Sequence, residues 1–527
     1  MSHSYLLLQR LIDTALRLPD QTALICGQRT IRYTHLLLWI QQTSNFFAQL
    51  LSNPKVLPND KTHNTPIDNI GLRIGIYLES SAEYVVATYA LWQLGYCVIA
   101  LPPKMTTEEW KRTAEKFHLD VLITDDKRYE RWRNEIYIPV LQVPALRLSA
   151  LNQYAIYLPA TISFSHDLNS VALILLTSGS TGEPKGVKLT HQNLASNTAA
   201  IQQCVPIHEG DITHLVLPMQ HSFGQSVLHT HLTVGATLII DPGMVFPQRT
   251  LTAMAQAKIT SFYGVPAMFV RLLQQNNIQE LDWSSLRYVA QAGGAMSEET
   301  VKHVEKIWPS VKIFLMYGQT EATARITCHE YLQTKKTYGE KTSCSVGRAL
   351  PNIEISIQKE NHVLTYDQEG EICVRGSNVM AGYLDEPIAS SEAIQQGWLH
   401  TGDWGYVDQA SFLHITARIA EFFKVSGYRI SAQEIERVVL SFPGVKAVAA
   451  VAIPDPIAGE VPHVCICWDL NAERPENEVL AYYRQHVELY KMPRAIHSVE
   501  EFPLTLSGKL RRGALRDWVM QKIQTHK

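Results

Sequence analysis

Residues 171–191 read VALILLTSGSTGEPKGVKLTH. The apolar run VALILL fits a buried strand, and it feeds directly into hydroxyls at Thr177, Ser178, Ser180 and Thr181, interleaved with Gly179, Gly182 and Gly186. Glycines let a backbone reach positive φ and turn its N–H groups toward an anion. The hydroxyls add donors, and Lys185 adds a mobile positive charge. The stretch is not a Walker A loop, which needs GxxxxGK[ST], because Lys185 stands between Pro184 and Gly186. A strand that ends in a candidate phosphate loop points to an α/β fold. Composition alone also allows a surface loop that happens to carry a lysine.

Outward from this stretch, short apolar runs alternate with helical segments. IGIYLES, CVIALPP, LDVLITDD, HLVLPM, ATLIID, ITSFYGVP, SLRYVAQAGG and KIFLMYG read as strands, and AEYVVATYALWQLG reads as a helix. Strands and helices taking turns predict α/β layers with mostly parallel sheets. The character changes near residue 415. From there EFFKVSGYRI reads as a strand pair, SAQEIERVVLSF as a helix, VKAVAAVAI and HVCICWDL as strands, ENEVLAYYRQHVEL as a helix, and 511–524 as a final helix. The expected organisation is a large N-terminal domain over 1–418 and a small α+β domain over 419–527. Ser431 and Glu434 predict a capping box at the start of one helix in the small domain.

Length alone requires more than one core, since 527 residues exceed what a single domain usually buries. A net charge of −3 gives no electrostatic reason to expect a nucleic acid or an anionic membrane as partner. The eight cysteines contain no CxxC pair and read as buried thiols of a reducing compartment, and Cys465 and Cys467 would share one strand face. The N-terminal MSHSYLLLQRLIDTALRL has too short an apolar run for a signal peptide and reads as an amphipathic helix. No membrane span is expected, and the expected location is the cytoplasm. The polar stretch 52–71 reads as a surface loop.

Four further segments carry candidate chemistry. In YGQTEAT (317–323) an aromatic, a glycine, a hydroxyl and a carboxylate follow a strand, a set that suits a nucleotide and Mg²⁺, although a turn with a solvated glutamate fits as well. WLHTGDWGYVD (398–408) places Asp403 in what reads as a tight turn; it could hold ribose hydroxyls or simply cap its own turn. RIAEFFKVSGYRIS (418–431) lies at the expected boundary, and PLTLSGKLRR (503–512) sets Lys509 in a Ser-Gly-Lys turn.

Together and in this order, the five segments resemble the AMP-forming adenylating superfamily, which includes acyl-CoA and aryl-CoA synthetases, peptide-synthetase adenylation domains and beetle luciferases. The resemblance spans nearly the whole chain. It implies an enzyme that makes an acyl-adenylate from a carboxylate and MgATP, releases pyrophosphate, and passes the acyl group to a thiol, with ATP, Mg²⁺ and CoA as cofactor and co-substrates. It implies that Thr177, Ser178, Gly179, Ser180, Thr181, Gly182 and Lys185 form the phosphate loop. Gly293 and Gly294 in QAGGAM would line the adenine and acyl pocket, and Tyr317 would stack on adenine. Thr320 would bind the α-phosphate, Glu321 would hold Mg²⁺, and Asp403 with Arg418 would hold the ribose. Lys509 would be the catalytic lysine of a mobile C-terminal domain, with Ala420 at the hinge and Gly427 beside the thiol tunnel. The chain departs from the pattern at Ala417, where the family usually has glycine, at the neutral hinge residue Ala420, and in the QASFL turn, which lacks its glycine.

Substrate class rests on fewer residues. Amino-acid-activating members carry an aspartate for the substrate ammonium, and that position falls here on Ser222, which favours a fatty or aryl acid. His221 falls at a gate beside the reacting carboxylate, though a histidine in this turn also reads as structural. His229 and His231 invite a metal reading but lack a third ligand at suitable spacing. The C-terminal KLRRGALRDWVMQK could meet the phosphates of CoA or an acidic carrier protein, or form a solvated basic face. Three functions are therefore carried forward: a carboxylate–CoA ligase, an enzyme loading a free-standing carrier protein in lipid or natural-product synthesis, and a non-catalytic AMP-binding regulator.

Overall fold

The computed structural model describes residues 7–53, 72–132, 138–144, 168–178, 184–241, 244, 246–331, 345–360, 362–418, 422–425, 428–455, 459–469, 476–484, 492–504 and 510–525. The expected loop at 52–71 lies almost wholly outside them. The chain divides into two compact units, one of residues 1–355 and 374–400 and the other of residues 356–373 and 401–527. The strands Ile353–Lys359 and Trp398–Val407 run through division points.

The first unit is built on two sheets. One has six strands in the order Val140–Leu141, Val121–Thr124, Ile74–Tyr77, Val98–Ala100, Val171–Ser178, Pro184–Thr190. All of its pairings are parallel except the last, a hairpin that sets Thr177 opposite Lys185. The other has nine strands in the order Arg348–Ala349, Thr327–Glu330, Lys312–Tyr317, Tyr288–Gln291, Ser261–Gly264, Ile212–Leu215, Thr237–Ile240, Thr22–Cys26, Arg29–Arg32. Its central pairings are parallel and only its edges are antiparallel. Strands such as Ile74–Tyr77 and Tyr288–Gln291 are buried at every residue, as strands covered on both faces must be.

Helices cover these sheets for reasons visible in their side chains. Leu7–Arg17 buries Leu7, Leu8, Leu11, Ile12 and Ala15, one stripe at helical spacing, as the N-terminal pattern predicts. Ala82–Gln93 is apolar nearly all round and buries ten of its residues. Such a helix is stable only inside a protein. Ser81 caps it by accepting a hydrogen bond from the Tyr84 N–H at 3.2 Å. No described helix is long and apolar enough to cross a membrane.

The second unit contains a sheet ordered Tyr428–Ser431, Phe422–Val425, Gly459–Trp468, Val445–Asp455, with Ala495–Val499 parallel to the Gly459–Trp468 strand. Alternation sorts the long strands into two faces. Ala450, Val464 and Ile466 pack with Ile435, Val439, Val479 and Tyr483, whereas Ala449, Val451 and Cys465 pack with Leu515 and Val519. The α+β reading of this region therefore holds. Cys465 belongs to a core face, and Cys467 donates to the Glu500 carbonyl.

Two local expectations change. The Ser431 hydroxyl accepts from the Gln433 N–H at 3.2 Å, one residue earlier than in a capping box. Asp403 lies not in a turn but inside the ten-residue strand Trp398–Val407, where Gly402 adopts φ +70° without breaking the strand. In QASFL the missing glycine has a physical substitute: Ser411 takes φ +65° itself, and Asp408 accepts hydrogen bonds from the Ala410 and Phe412 N–H groups to hold the turn.

Candidate functional site

Four neighbouring parallel strands of the nine-stranded sheet end at Leu215, Gly264, Gln291 and Tyr317. The segments that leave those ends carry His221 and Ser222, Val265 and Pro266, Gly293 and Gly294, and Gly318 to Glu321. The carboxyl ends of parallel strands are where α/β sheets place ligands, because loops alone close that edge. A single sheet edge thus gathers His221, Gly293, Gly294, Tyr317, Thr320 and Glu321 of the predicted site, whereas Thr177 and Lys185 belong to the hairpin of the other sheet.

The turn after Tyr317 is a 3₁₀ segment, Thr320–Ala322. A Cβ on Gly318 would stand 1.9 Å from the Ala324 carbonyl oxygen, so only glycine lets the turn close on itself. Thr323 at φ +54° and Ala324 at φ +89° then reverse the chain in left-handed conformations that non-glycine residues rarely adopt. Such strain costs on the order of 1–3 kcal/mol per residue and persists only where surrounding contacts enforce it. Here the Thr323 hydroxyl donates to the Asn378 carbonyl at 2.6 Å and the Asn378 amide donates to the Ala322 carbonyl at 3.1 Å. Thr320 and Glu321 are left half-buried at the rim.

A strap over 380–384 ties this turn to the hairpin. The Met380 N–H donates to the Glu321 carbonyl at 2.9 Å. The Ala381 N–H donates to the Lys188 carbonyl, Lys188 N–H to Gly382, and Leu384 N–H to Gly186, each within 2.9 Å. Tyr383 bridges to Val187 between them. Its hydroxyl donates to Glu321 Oε1 at 3.1 Å, and Lys185 Nζ sits 4.8 Å from the centre of its ring. Burial and the neighbouring Glu321 carboxylate push the Tyr383 phenol up, so it stays a donor at neutral pH. Lys185, Tyr383 and Glu321 therefore form one connected group. Nothing in the sequence around AGYLDEP marks Tyr383, because its place is set by backbone pairing with residues nearly 200 positions away.

Ser222 opens the helix Ser222–Leu232, with His221 in extended geometry at its N-cap. The Ser222 and Thr320 hydroxyls lie 3.2 Å apart, which puts the predicted acid end beside the predicted α-phosphate ligand. Tyr317 closes its strand with 8% exposure. His229 and His231 are core residues: His229 Nδ1 meets the Tyr89 hydroxyl at 2.9 Å, and His231 Nδ1 meets the Val227 carbonyl at 2.8 Å. Neither belongs to a metal-ligating group among the described residues. Burial lowers their pKa values to about 3 and about 4.

Gly179, Ser180, Thr181, Gly182, Ala420, Gly427 and Lys509 lie outside the described residues, as do the side chains of Ser178 and Arg418. In the second unit Asp403 is buried and pairs in register with Arg418 across two antiparallel strands, so the two predicted ribose residues are direct neighbours. The basic C-terminal segment is partly committed within the protein. Arg512 holds both oxygens of Glu436, at 2.5 and 3.1 Å, and also donates to the Ala450 carbonyl.

Glu321 and Thr320 offer a carboxylate and a hydroxyl. These are hard oxygen donors, which fit Mg²⁺ and not a thiophilic metal.

The AMP-binding enzyme family matches residues 11–384, and the AMP-binding enzyme C-terminal domain matches residues 434–509. A 2-succinylbenzoate–CoA ligase of Bacillus pumilus is 29% identical over 510 residues, covering 96% of this chain and 97% of its own. A 4-coumarate–CoA ligase of Humulus lupulus is 30% identical over 477 residues, covering 85% of each chain. The solved o-succinylbenzoate CoA synthetase of Bacillus subtilis, bound to its acyl-adenylate intermediate, aligns with a TM-score of 0.79 at 25% identity, covering 96% of this chain and 98% of its own. The same synthetase has also been solved with ATP and a magnesium ion.

Proposed function

The chain belongs to the AMP-binding enzyme family, and from that premise we propose that it activates a fatty or aryl carboxylic acid and joins it to CoA at one site. It is an AMP-forming acid–CoA ligase that uses ATP, Mg²⁺ and CoA. That sets aside the non-catalytic regulator, and the CoA ligases among its relatives give no support to a carrier protein as acceptor.

In the first step a carboxylate oxygen attacks the α-phosphorus of ATP, the bond from that phosphorus to the bridging oxygen breaks, and pyrophosphate leaves. Negative charge grows on the α-phosphoryl oxygens, where donors already in place are worth most. Thr320 donates to those oxygens, Lys185 and the glycine-rich loop hold the departing phosphates, and Tyr383 fixes the Glu321 carboxylate. Glu321 and Thr320 would hold Mg²⁺, which when bound offsets phosphate charge. His221 gates the reacting carboxylate, and Tyr317, Gly293 and Gly294 frame the adenine. Asp403 and Arg418 take the ribose. In the second step the CoA sulfur attacks the acyl carbon, the thiol proton passes to solvent, the bond from that carbon to the phosphate oxygen breaks, and AMP leaves. The small domain beyond 418 rotates about Ala420 between the steps, exchanging Lys509 for the thiol path beside Gly427.

The observation that carries the acid class is the Ser222–Thr320 hydroxyl pair. It leaves no carboxylate where an α-ammonium would need one. The test is pyrophosphate release across fatty, aryl and α-amino acids, with and without CoA. CoA thioester formation from fatty or aryl acids is expected, and turnover confined to α-amino acids would overturn the class.

A further inference from the structure

Arg325 and Ile326 separate the left-handed pair Thr323–Ala324 from the strand Thr327–Glu330, and Arg325 has 0% exposure. Its Nε and both terminal nitrogens are buried and have no hydrogen-bond partner. The guanidinium lies 4.7 Å from the ring centre of Phe223 and 5.6 Å from that of Tyr263. Tyr263 is itself pinned by an edge contact to His231 and by its hydroxyl to the Tyr288 hydroxyl at 3.1 Å. Burial lowers the Arg325 pKa only to about 10, so the group is a cation at neutral pH.

Buried charges in proteins are paired or neutralised, because stripping water from an ion is among the most expensive steps in folding. Aromatic faces recover part of that loss, but they leave all five guanidinium N–H donors unused. Among the described residues no carboxylate bears on the Arg325 charge, and its neighbours Tyr263, Tyr288 and Cys328 are kept neutral by burial. The described residues supply no partner, which leaves the guanidinium open to one from outside. Its direction of approach is set by Phe223, which follows Ser222 directly in the chain and is half-buried instead of sealed. The unpaired cation therefore packs on the ring of the residue that directly follows Ser222, one member of the hydroxyl pair.

We propose that Arg325 is the counter-ion for a second anionic group on the acid. On this assignment, which rests on the ligase reading above, the substrate is a compact dicarboxylate, or an acid with an equivalent second anion. One carboxylate reacts beside Ser222 and Thr320, and the other displaces Phe223 to meet the guanidinium. Arg325 then determines specificity and takes no part in the chemical step. A bidentate arginine–carboxylate pair suits this role, being both strong and directional.

The test compares kcat/KM for pyrophosphate release, with CoA present, between diacids and matched monoacids: succinate against butyrate, glutarate against pentanoate, phthalate against benzoate. The intact enzyme should prefer at least one diacid over its monoacid by about 10²-fold or more, since a site built for a polar group strongly rejects the analogue that lacks it. Arg325→Leu should bring that ratio to within a few-fold by raising the diacid KM, with the ATP KM unchanged. Arg325→Lys should restore part of it. Turnover of monoacids with no diacid preference overturns this proposal and leaves the ligase reading standing. An Arg325→Leu variant whose ATP KM rises equally for every acid also overturns it, because the arginine would then serve the nucleotide. Turnover of no acid at all defeats the ligase reading and this proposal with it. Should Arg325→Leu fail to fold, the diacid-to-monoacid ratio of the intact enzyme decides alone.

Discussion

Around Glu321 the polar side chains hold one another. Tyr383 donates to the carboxylate, Lys185 sits on the Tyr383 ring, and Thr320 meets Ser222. A few residues along the chain, the Arg325 guanidinium has no hydrogen-bond partner among the described residues and lies against two aromatic rings. The nucleotide end is half-open to water, so its groups can be organised beforehand at little desolvation cost and still be exchanged for phosphate. The Arg325 guanidinium is fully buried, so its unpaired charge is expensive until a ligand completes it. On the proposed reading, preorganisation serves the part of the reaction common to every acid, and the unmet charge serves the choice among acids.

Four perturbations probe that contrast. Lys509→Ala should have the largest effect, slowing adenylation by roughly 10²–10³-fold while sparing thioester formation from added acyl-adenylate, because it removes one preorganised charge from a single half-reaction. Unchanged ATP–pyrophosphate exchange would deny Lys509 its role. Glu321→Gln should slow adenylation by about 10²-fold for every acid alike; a loss that depended on the acid would erase the distinction between the two ends. Tyr383→Phe removes one hydrogen bond to a carboxylate and should cost about tenfold in kcat, again independent of the acid and measurable in the same exchange assay.

The fourth perturbation concerns the buried histidines behind Ser222 and reads stability instead of rate. His229 and His231 titrate near 3 and 4 in the folded protein, below the ordinary value of 6.5, because burial disfavours their charged forms. Below pH 6.5 the unfolded chain takes up protons that the folded chain refuses, so stability falls as pH drops toward 4. The loss is at most about 1.4 kcal/mol per pH unit for each histidine. Thermal melts between pH 7 and 4.5 should show this decline, and His231→Gln should flatten it. A melting temperature that rises on acidification would contradict the burial argument.

Much of this arrangement is legible in the sequence, and the reasons for the exceptions are physical. Apolar runs fix the strands, and the order of motifs from Lys185 to Asp403 fixes the family, since both depend on residues adjacent in the chain. Tyr383 escapes notice because backbone pairing across a long separation places it. Arg325 stands two residues beyond the YGQTEAT motif, yet nothing in its neighbours announces that an arginine will be buried there. Asp403 misleads in the opposite way: glycines on either side of Asp403–Trp404 suggest a turn, but they sit inside a strand that tolerates one positive φ.

The strap at 380–384 has one more consequence. Its four bonds to the hairpin and to the Glu321 turn are made by amides and carbonyls, so the pairing itself does not depend on side-chain identity, even though Met380 and Leu384 are buried and Gly382 holds φ +115°. Its frame is what the molecule cannot give up. Dropping or adding one residue would slide every amide past its partner and carry the Tyr383 phenol to the opposite face. The length of this segment is therefore what holds Tyr383 on the Glu321 side.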